Sequence, residues 1–404
     1  MVSGPALVTI CDCLSIGLSN NFIKQERRII EMKKIGIITI HKIPNHGSVL
    51  QAYALQKACA GLGYNVEIID YLFPNRFQSE QPANEEPDDH LTLKEKFLKY
   101  AFAFSILKQR KGIQSFVKRY MNLTKREYIH PNELKSTEFD YDIYISGSDQ
   151  IWSPFHCKGD TSFLLDFAPD NSIKLSYASS FGKANVPDRY ISDYRRCLNR
   201  YNHLSVREES GASLVEEITG KRPEVVLDPT LLLDATQWNE IAKQKRIVKD
   251  KYILCYFLNY SFKAHPYVER IADEIHQQTG YKIVWAIRPP KRLINKHTHF
   301  EVGASPEDFL ALIRDAEIVL TTSFHGTVFS LNYGRPLLSI VADKSSSDNR
   351  QVNILKMVGL ESNILSIHDS IPYYKVADYD TSKVAARLSE LREESMNYLV
   401  KALE

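Results

Sequence analysis

One segment near the C-terminal end of the chain constrains the fold most strongly. It spans Thr321 to Ile340, reads TTSFHGTVFSLNYGRPLLSI, and follows the apolar residues IVL. This pattern predicts a strand, a sharp turn, a helix that stops near Gly334 and Pro336, and a second buried strand. Such a unit is typical of an open α/β sheet, in which the turn after a strand lies at the edge where ligands bind.

The turn of this segment carries four candidate binding or catalytic residues. His325 is the side chain of the turn that can move a proton near neutral pH. Gly326 lets the backbone come close to a ligand, and free amides at a helix start favour an anion. Ser323 and Thr327 flank these residues. A helix cap formed by either hydroxyl, beside a buried histidine, is the alternative interpretation.

A similar unit opens the N-terminal part of the chain. The apolar run IGIITI, residues 35–40, predicts a buried strand, and apolar residues at helical spacing over 49–62 predict the helix that follows. Asn45 and Gly47 lie in the loop between them, where phosphates or other anions bind in such units. The glycine spacing is not GxGxxG, so a dinucleotide site has no specific support.

Three further sites follow predicted strands or precede predicted helices. After the strand DYDIYIS, residues 140–146, come Ser148, Asp149, Gln150 and Trp152. A tryptophan among polar groups is suited to holding a sugar by stacking and hydrogen bonds, whereas helix capping by Ser148 or Asp149 is the alternative.

Two arginines complete the set of candidates. Arg207 ends the run HLSVR before a helix, and Arg350 lies at the start of the predicted helix 351–358. A guanidinium group at such a junction binds a carboxylate or phosphate through two parallel hydrogen bonds. For Arg207, pairing with a neighbouring glutamate is equally compatible with the sequence.

Two successive series of buried strands and helices predict an α/β protein with two Rossmann-like halves that face a cleft. The length of 404 residues agrees with two or three domains. We expect an N-terminal domain over 32–233, with a helical insertion at about 91–120, and a C-terminal domain over 234–404 that ends in a crossing helix. Residues 1–31 are expected to be a non-native or disordered extension, since the first convincing strand begins only after them.

Composition narrows the classes of partner and compartment. The net charge is only +2, so nothing in the balance of charges calls for nucleic acid. The six cysteines are scattered without zinc-site spacing, which fits a reducing cytoplasm and predicts no metal site. The apolar stretch near the N-terminus is too short to span a bilayer, so any membrane association is expected to be peripheral.

Several of these motifs together resemble a known family. The segments NHGSVLQAYALQ, DIYISGSDQIW, YASSFGK and SFHGTVFSLNYGRP, with VREES and VVLDPTLLL between them, are similar to the polysaccharide pyruvyl transferases from about Lys34 to Leu360. The resemblance implies two Rossmann-like domains in a glycosyltransferase-B-like arrangement. It also implies transfer of the pyruvyl unit of phosphoenolpyruvate to two hydroxyls of a sugar, with release of phosphate, in bacterial capsule or exopolysaccharide synthesis.

The resemblance gives roles to two residues, and the chemistry of the turns suggests the others. By motif, His325 assists proton transfer and Arg207 binds phosphoenolpyruvate. The remaining donor contacts are expected from Ser323, Gly326, Thr327 and Arg350, the acceptor contacts from Asn45, Gly47, Ser148, Gln150 and Trp152, and a base from Asp149. The expected partners are phosphoenolpyruvate and a sugar acceptor, free or lipid-linked, and no cofactor is expected.

Two other functions remain open on the sequence. A nucleotide-sugar glycosyltransferase could use the same two-domain scaffold, because fold does not fix chemistry. It would bind a nucleotide sugar and ignore phosphoenolpyruvate, and the chain lacks an obvious acidic diphosphate or ribose signature. A non-catalytic glycan-binding protein is the other alternative, and the presence of both His325 and Arg207 argues against it.

Overall fold

The computed structural model describes residues 32–72, 93–183, 185–258, 262–286, 297–346 and 349–404. The extension predicted over residues 1–31 lies outside the described residues, and so does the start of the predicted insertion.

The N-terminal half is built on parallel strands that are short and buried. They are β1 Lys34–Ile38, β2 Asn65–Ile68, β3 Ile143–Ser146, β4 Ile173–Ser176, β5 Ser205–Val206 and β6 Glu224–Val225, of which β6 alone is exposed at both residues. The first four form one sheet in the order β2-β1-β3-β4, and β5 pairs with β6 beside it. Ile35, Ile37 and Ile145 have no exposed surface, as expected for strands covered on both faces.

The C-terminal half contains a six-stranded sheet that is parallel throughout. Its strands are β7 Tyr252–Tyr256, β8 Lys282–Trp285, β9 Thr298–Phe300, β10 Ile318–Thr321, β11 Leu337–Val341 and β12 Ile364–Ser366. The order is β12-β11-β10-β7-β8-β9, so the chain reverses direction across the sheet between β10 and β7. The carboxyl ends of these two strands therefore flank the position where open α/β sheets bind ligands.

Helices connect the strands and cover the sheets. They are α1 His46–Gly61, α2 Leu93–Tyr120, α3 Pro131–Lys135, α4 Pro154–Cys157, α5 Asp188–Leu198, α6 Glu209–Thr219, α7 Ala235–Ile241, α8 Tyr267–Thr279, α9 Pro306–Arg314, α10 Phe324–Asn332, α11 Arg350–Met357 and α12 Thr381–Leu403. No helix in the described ranges is both long and apolar enough to cross a membrane.

The two halves share a continuous apolar core along α1. Trp238 lies 5.8 Å from the ring of Tyr53 in α1 and 5.0 Å from the ring of Phe329 in α10. The last helix, α12, also reaches the N-terminal half, because the Tyr398 hydroxyl donates to the carbonyl of Ser176. The architecture is the predicted one, with two parallel α/β sheets in a glycosyltransferase-B-like arrangement. The residue boundaries of the two domains stay a prediction.

Candidate active site

The start of α1 comes from the N-terminal half and is held by a side-chain cap. Asn45 Oδ1 accepts hydrogen bonds from the amides of Gly47 at 2.9 Å and Ser48 at 3.4 Å. An asparagine in this position satisfies amides that a helix start otherwise leaves unpaired. The cap makes the helix begin at His46, three residues earlier than the apolar spacing predicts, and brings Gly47 to the interface between the halves.

His325 meets this helix start from the C-terminal half. It lies in the first turn of α10, which Ser323 caps by accepting a hydrogen bond from the Gly326 amide at 3.3 Å. A methyl group on Gly47 would lie 2.0 Å from Nδ1 of His325, so the imidazole rests directly on the backbone of α1. The other ring nitrogen, Nε2, is buried without a hydrogen-bond partner.

The other residues of the turn are engaged within the protein. A Cβ on Gly326 would lie 2.3 Å from Thr321 Oγ1, so packing against β10 already requires a glycine here. Thr327 is fully buried, and its hydroxyl contacts Ser323 O and Ser339 Oγ. A direct contact of Ser323, Gly326 or Thr327 with a ligand stays a prediction.

Arg207 is the cation at the centre of a buried group of charged side chains. This charged cluster consists of Arg207, Asp149, Glu208, Asp228, His325 and Arg350. Arg207 follows β5, and its Nη1 donates to Asp228 Oδ2 at 2.7 Å. Its Nη2 lies 3.8 Å from Asp149 Oδ1, and its Nε lies 3.7 Å from Glu208 Oε2. The side chain is 2 % exposed, yet Nε and Nη2 have no hydrogen-bond partner. Buried donors without partners are costly, so these two nitrogens make Arg207 a candidate for binding a ligand.

Phe324 joins the two predicted arginines. Its ring centroid lies 4.8 Å from the guanidinium carbon of Arg207 and 5.4 Å from that of Arg350. Both distances are within the range of cation–π attraction. Arg350 Nη1 is also 4.0 Å from Asp149 Oδ1, so the start of α11 contributes to the same cluster.

Asp228 holds the cluster together and was not identified from the sequence. Its side chain has no exposed surface, and it accepts from the Ser148 hydroxyl at 3.1 Å and the Thr230 amide at 3.0 Å. His325 Nε2 lies 3.9 Å from the same Oδ2 atom that Arg207 contacts. Asp228 directly follows the apolar run VVL in VVLDP, and that position is the signal that could have found it.

Burial and neighbouring charges shift the pKa values of the cluster. Burial, opposed by Asp228 and Asp149, lowers the pKa of His325 to about 4. Burial alone would raise the pKa of Asp149, but Arg207, His325 and Arg350 bring it to about 2. Burial, followed by repulsion from Arg207, lowers the pKa of Arg350 to about 10. His325 is therefore neutral at pH 7, whereas Asp149 and Arg350 are charged.

These values bear on the predicted role of Asp149. A carboxylate with a pKa of about 2 is a weak acceptor of protons at neutral pH, which does not favour it as a general base. Its oxygens are also occupied, since Ser48 Oγ donates to Oδ2 at 2.5 Å and the Gln150 amide donates to Oδ1 at 2.9 Å. Asp149 is suited instead to holding the two arginines in place.

The structure corrects the interpretation of Trp152. The side chain has no exposed surface, and its Nε1 donates to Ser146 Oγ at 2.9 Å. The rings of Phe181 and Tyr201 pack against it at 5.5 and 5.9 Å. The indole is a core residue of the N-terminal half, so it cannot offer a stacking surface to a sugar.

The remaining acceptor candidates differ in their surroundings. Ser148 is fully buried and bound to Asp228, so it belongs to the charged cluster. Asn45 and Gln150 are half-buried and lie on the N-terminal side of the junction. No group of three or more histidine, cysteine, aspartate or glutamate side chains within the described ranges is arranged to hold a metal ion.

Comparison with known proteins adds a family assignment. A family model described as polysaccharide pyruvyl transferase matches residues 45–344, which include every residue of the charged cluster except Arg350. A search among curated protein sequences gave no match.

Solved structures with a similar course of the chain have low sequence identity. A putative UDP-N-acetylglucosamine 2-epimerase from Listeria monocytogenes is 9% identical, with coverage of 91% of this chain and 90% of that chain and a TM-score of 0.49. The UDP-GlcNAc 2-epimerase from Methanocaldococcus jannaschii is 13% identical, with coverage of 88% and 92% and a TM-score of 0.46. The glycosyltransferase SnogD from Streptomyces nogalater is 11% identical, with coverage of 90% and 95% and a TM-score of 0.40.

Proposed function

The chain belongs to the polysaccharide pyruvyl transferase family, and we propose that it transfers the pyruvyl unit of phosphoenolpyruvate to two hydroxyls of a sugar. The product is a pyruvate ketal on a surface polysaccharide or its precursor, and phosphate is released. One observation carries the proposal. Two buried nitrogens of Arg207 and Nε2 of His325 lack hydrogen-bond partners, and both side chains adjoin the carboxylate of Asp228.

The donor fits the cations of the cluster. Phosphoenolpyruvate carries a carboxylate and a phosphate, and guanidinium groups bind both through paired hydrogen bonds. Arg207 offers Nε and Nη2, and Arg350 reaches the same place from α11. Phe324 keeps the two guanidinium groups apart, so each can take one anionic group of the donor.

His325 supplies the proton that starts the reaction. Burial disfavours the protonated form of His325, but negative charge beside Nε2 raises the pKa of an imidazole, so a bound donor favours that form. Protonated His325 gives its proton to the methylene carbon, which becomes a methyl group and leaves an oxocarbenium-like centre on the neighbouring carbon. The first sugar hydroxyl attacks that centre, and His325 takes the hydroxyl proton.

The second half of the reaction closes the ketal. The carbon–oxygen bond to phosphate breaks and restores the oxocarbenium-like centre. The second hydroxyl attacks it, and its proton leaves with the phosphate. Arg207 and Arg350 stabilise the negative charge that builds up on the departing phosphate.

The acceptor side is proposed from position. Asn45, Gly47 and Gln150 belong to the N-terminal half, opposite His325 and Arg350 of the C-terminal half, and we assign the sugar to this side. A lipid-linked sugar would bring the protein to the cytoplasmic face of a membrane as a peripheral protein.

Donor binding can be tested without knowing the acceptor. A ligand that binds only the native state raises the melting temperature. We expect phosphoenolpyruvate to stabilise the wild type and Arg387→Ala, a control that removes a half-exposed arginine from α12. Arg350→Ala should weaken the shift and Arg207→Ala should abolish it. Stabilisation by a nucleotide sugar, with no response to phosphoenolpyruvate, would instead identify a glycosyltransferase.

Turnover is the second test. Purified protein is incubated with phosphoenolpyruvate and glycans ending in galactose, mannose, glucuronic acid or an N-acetylhexosamine, and phosphate and ketal formation are measured together. Phosphate release that requires both the donor and one of these glycans supports the proposal. No ketal with any of them, in a protein that phosphoenolpyruvate also fails to stabilise, would refute it.

A further inference from the structure

Helix α2 has two faces of opposite character. Its inner face packs into the junction between the halves, with Ile113, Phe116 and Val117 buried. Gln109 Nε2 lies 3.3 Å from His46 Nε2, beside Gly47 in the candidate active site. This side of the helix is therefore fixed by contacts with both halves.

The outer face exposes large apolar side chains. Phe104 is 70% exposed and Leu107 is 54% exposed. Residues three apart lie side by side on a helix, so the two form one apolar patch. Exposed apolar side chains that cluster mark surfaces that bind something apolar.

Cations surround this patch. Three lysines lie on the same side of the helix as Phe104 and Leu107. Lys108 and Lys111 follow Phe104 by four and seven residues, Lys118 follows Lys111 by seven, and all three are exposed. Arg110 and Arg119 flank this side and are exposed as well. Residues 104–120 contain no aspartate or glutamate.

The described ranges contain one comparable pair of large exposed apolar residues three apart in the sequence. The charged residues beside that pair differ from those beside Phe104 and Leu107. Tyr373 and Val376 are 59% and 37% exposed, three residues apart. Lys375 lies between them, but Asp378 and Asp380 follow at once. The combination of an apolar patch with cations and without acids is a property of residues 104–120 of α2.

We propose that this outer face of α2, formed by Phe104, Leu107, Lys108, Lys111 and Lys118, docks on an anionic membrane surface. Helices that lie in a membrane interface place apolar side chains among the lipid chains and lysines beside the headgroup phosphates. A nucleic acid would use the cations but leave Phe104 and Leu107 without an apolar partner. The inference goes beyond the proposed transfer reaction, because it concerns a surface outside the charged cluster.

Docking through this face would place the active site close to the membrane. The opposite face of the same helix contacts His46, so the start of α1 lies about one helix diameter, roughly 10 Å, from the docked surface. A sugar carried on a lipid would meet the site at that height above the headgroups.

The test is sedimentation of the full chain with vesicles. We expect wild type to bind vesicles of phosphatidylcholine mixed with phosphatidylglycerol and to ignore phosphatidylcholine alone. Leu107→Ser combined with Lys111→Glu should weaken binding at least tenfold. The matched control, Val376→Ser with Lys375→Glu, removes one exposed apolar residue and reverses one charge elsewhere, and should bind as wild type does.

Other outcomes would overturn the proposal. Failure of wild type to bind the anionic vesicles would refute it, and so would equal losses in the two double variants. A wild type that self-associates and becomes monomeric on Leu107→Ser with Lys111→Glu would show that a second copy covers this face. Equal binding to single-stranded DNA, competing with the vesicles, would assign the face to general polyanion contact.

Donor stabilisation by phosphoenolpyruvate is measured in parallel and should be the same in both double variants, so failure of docking is distinguishable from failure of the proposed reaction.

Discussion

The imidazole of His325 rests on the backbone of Gly47, so the proposed acid is positioned by a residue from the opposite half of the molecule. A methyl group at Gly47 would lie 2.0 Å from Nδ1, 2.1 Å from Cγ and 2.7 Å from Cβ of His325. These atoms are close to the backbone of α10, so the ring cannot avoid the clash by moving only its tip. The glycine is needed for contact with the proposed catalytic side chain.

Gly47→Ala should therefore displace His325 and lower turnover by about 100-fold, since misplacement by about 1 Å has that effect on a catalytic group. Steady-state release of phosphate from phosphoenolpyruvate measures the loss. Gly61→Ala, at the other end of the same helix, is the matched control because a methyl group there meets nothing within 4 Å. Equal activity of the two variants would show that His325 does not need its present position.

Asp228→Asn tests the charge that links Arg207 and His325. Asp228 raises the pKa of His325, so its neutral replacement should make the imidazole harder to protonate. We expect turnover to fall by roughly 100-fold or more, and the pH above which it declines to move to a lower value. The measurement is kcat as a function of pH.

The control for this variant is Asp234→Asn, which changes the cap of α7 in the same region. Asparagine caps helices about as well as aspartate does, so this variant should behave as wild type. If Asp228→Asn lost activity without any change in the shape of its pH profile, Asp228 would have a purely structural role.

Much of this site could be predicted because the strands are parallel. Parallel strands that are buried on both faces read as apolar runs, and the residues that follow them gather at one edge of the sheet. This rule placed Gly47, Asp149, Arg207 and His325 as candidates, and the structure brings all four together.

The errors arose where the direction of a side chain decides its role. Trp152 follows a strand in the same way as Asp149 does, but it turns into the core, and no local pattern distinguishes the two cases. Gly326 is a glycine because of Thr321 in the preceding strand, a contact made by folding. The sequence does not single out Asp228, because it adjoins a proline and resembles a residue that ends a strand.

The corrected position of Trp152 makes a prediction of its own. Trp152→Phe removes a buried ring and the hydrogen bond to Ser146, so we expect the free energy of unfolding to fall by about 1–3 kcal/mol. The KM for the acceptor should not change, because the indole has no exposed surface. Gln150→Ala provides the contrast, since this half-buried residue on the proposed acceptor side should raise that KM with little effect on stability. An acceptor KM raised by Trp152→Phe alone would restore the stacking role.

Two buried histidines should make stability depend on pH. Burial lowers the pKa of His46 and of His325 from 6.5 to about 4. Between these values the unfolded chain binds more protons than the native protein, so stability is lost as the pH falls from 6.5 towards 4. The shift of the pKa corresponds to at most about 3–4 kcal/mol for each histidine. Asp149 acts outside this window, because its stabilisation is lost only as the pH falls from 3.8 towards 2.

Urea unfolding at several pH values between 4 and 6.5 measures this slope. His325→Gln should flatten it by about half and leave stability at pH 7 nearly unchanged, because neutral His325 has an unpartnered nitrogen there. His46→Gln should flatten the slope to a similar extent but also lower stability at pH 7, because His46 Nε2 bonds to the carbonyl of Ala304 at 2.9 Å. If the double variant kept the slope of wild type, neither histidine would be held neutral by the fold, and the proposed switch of His325 on donor binding would lose its physical basis.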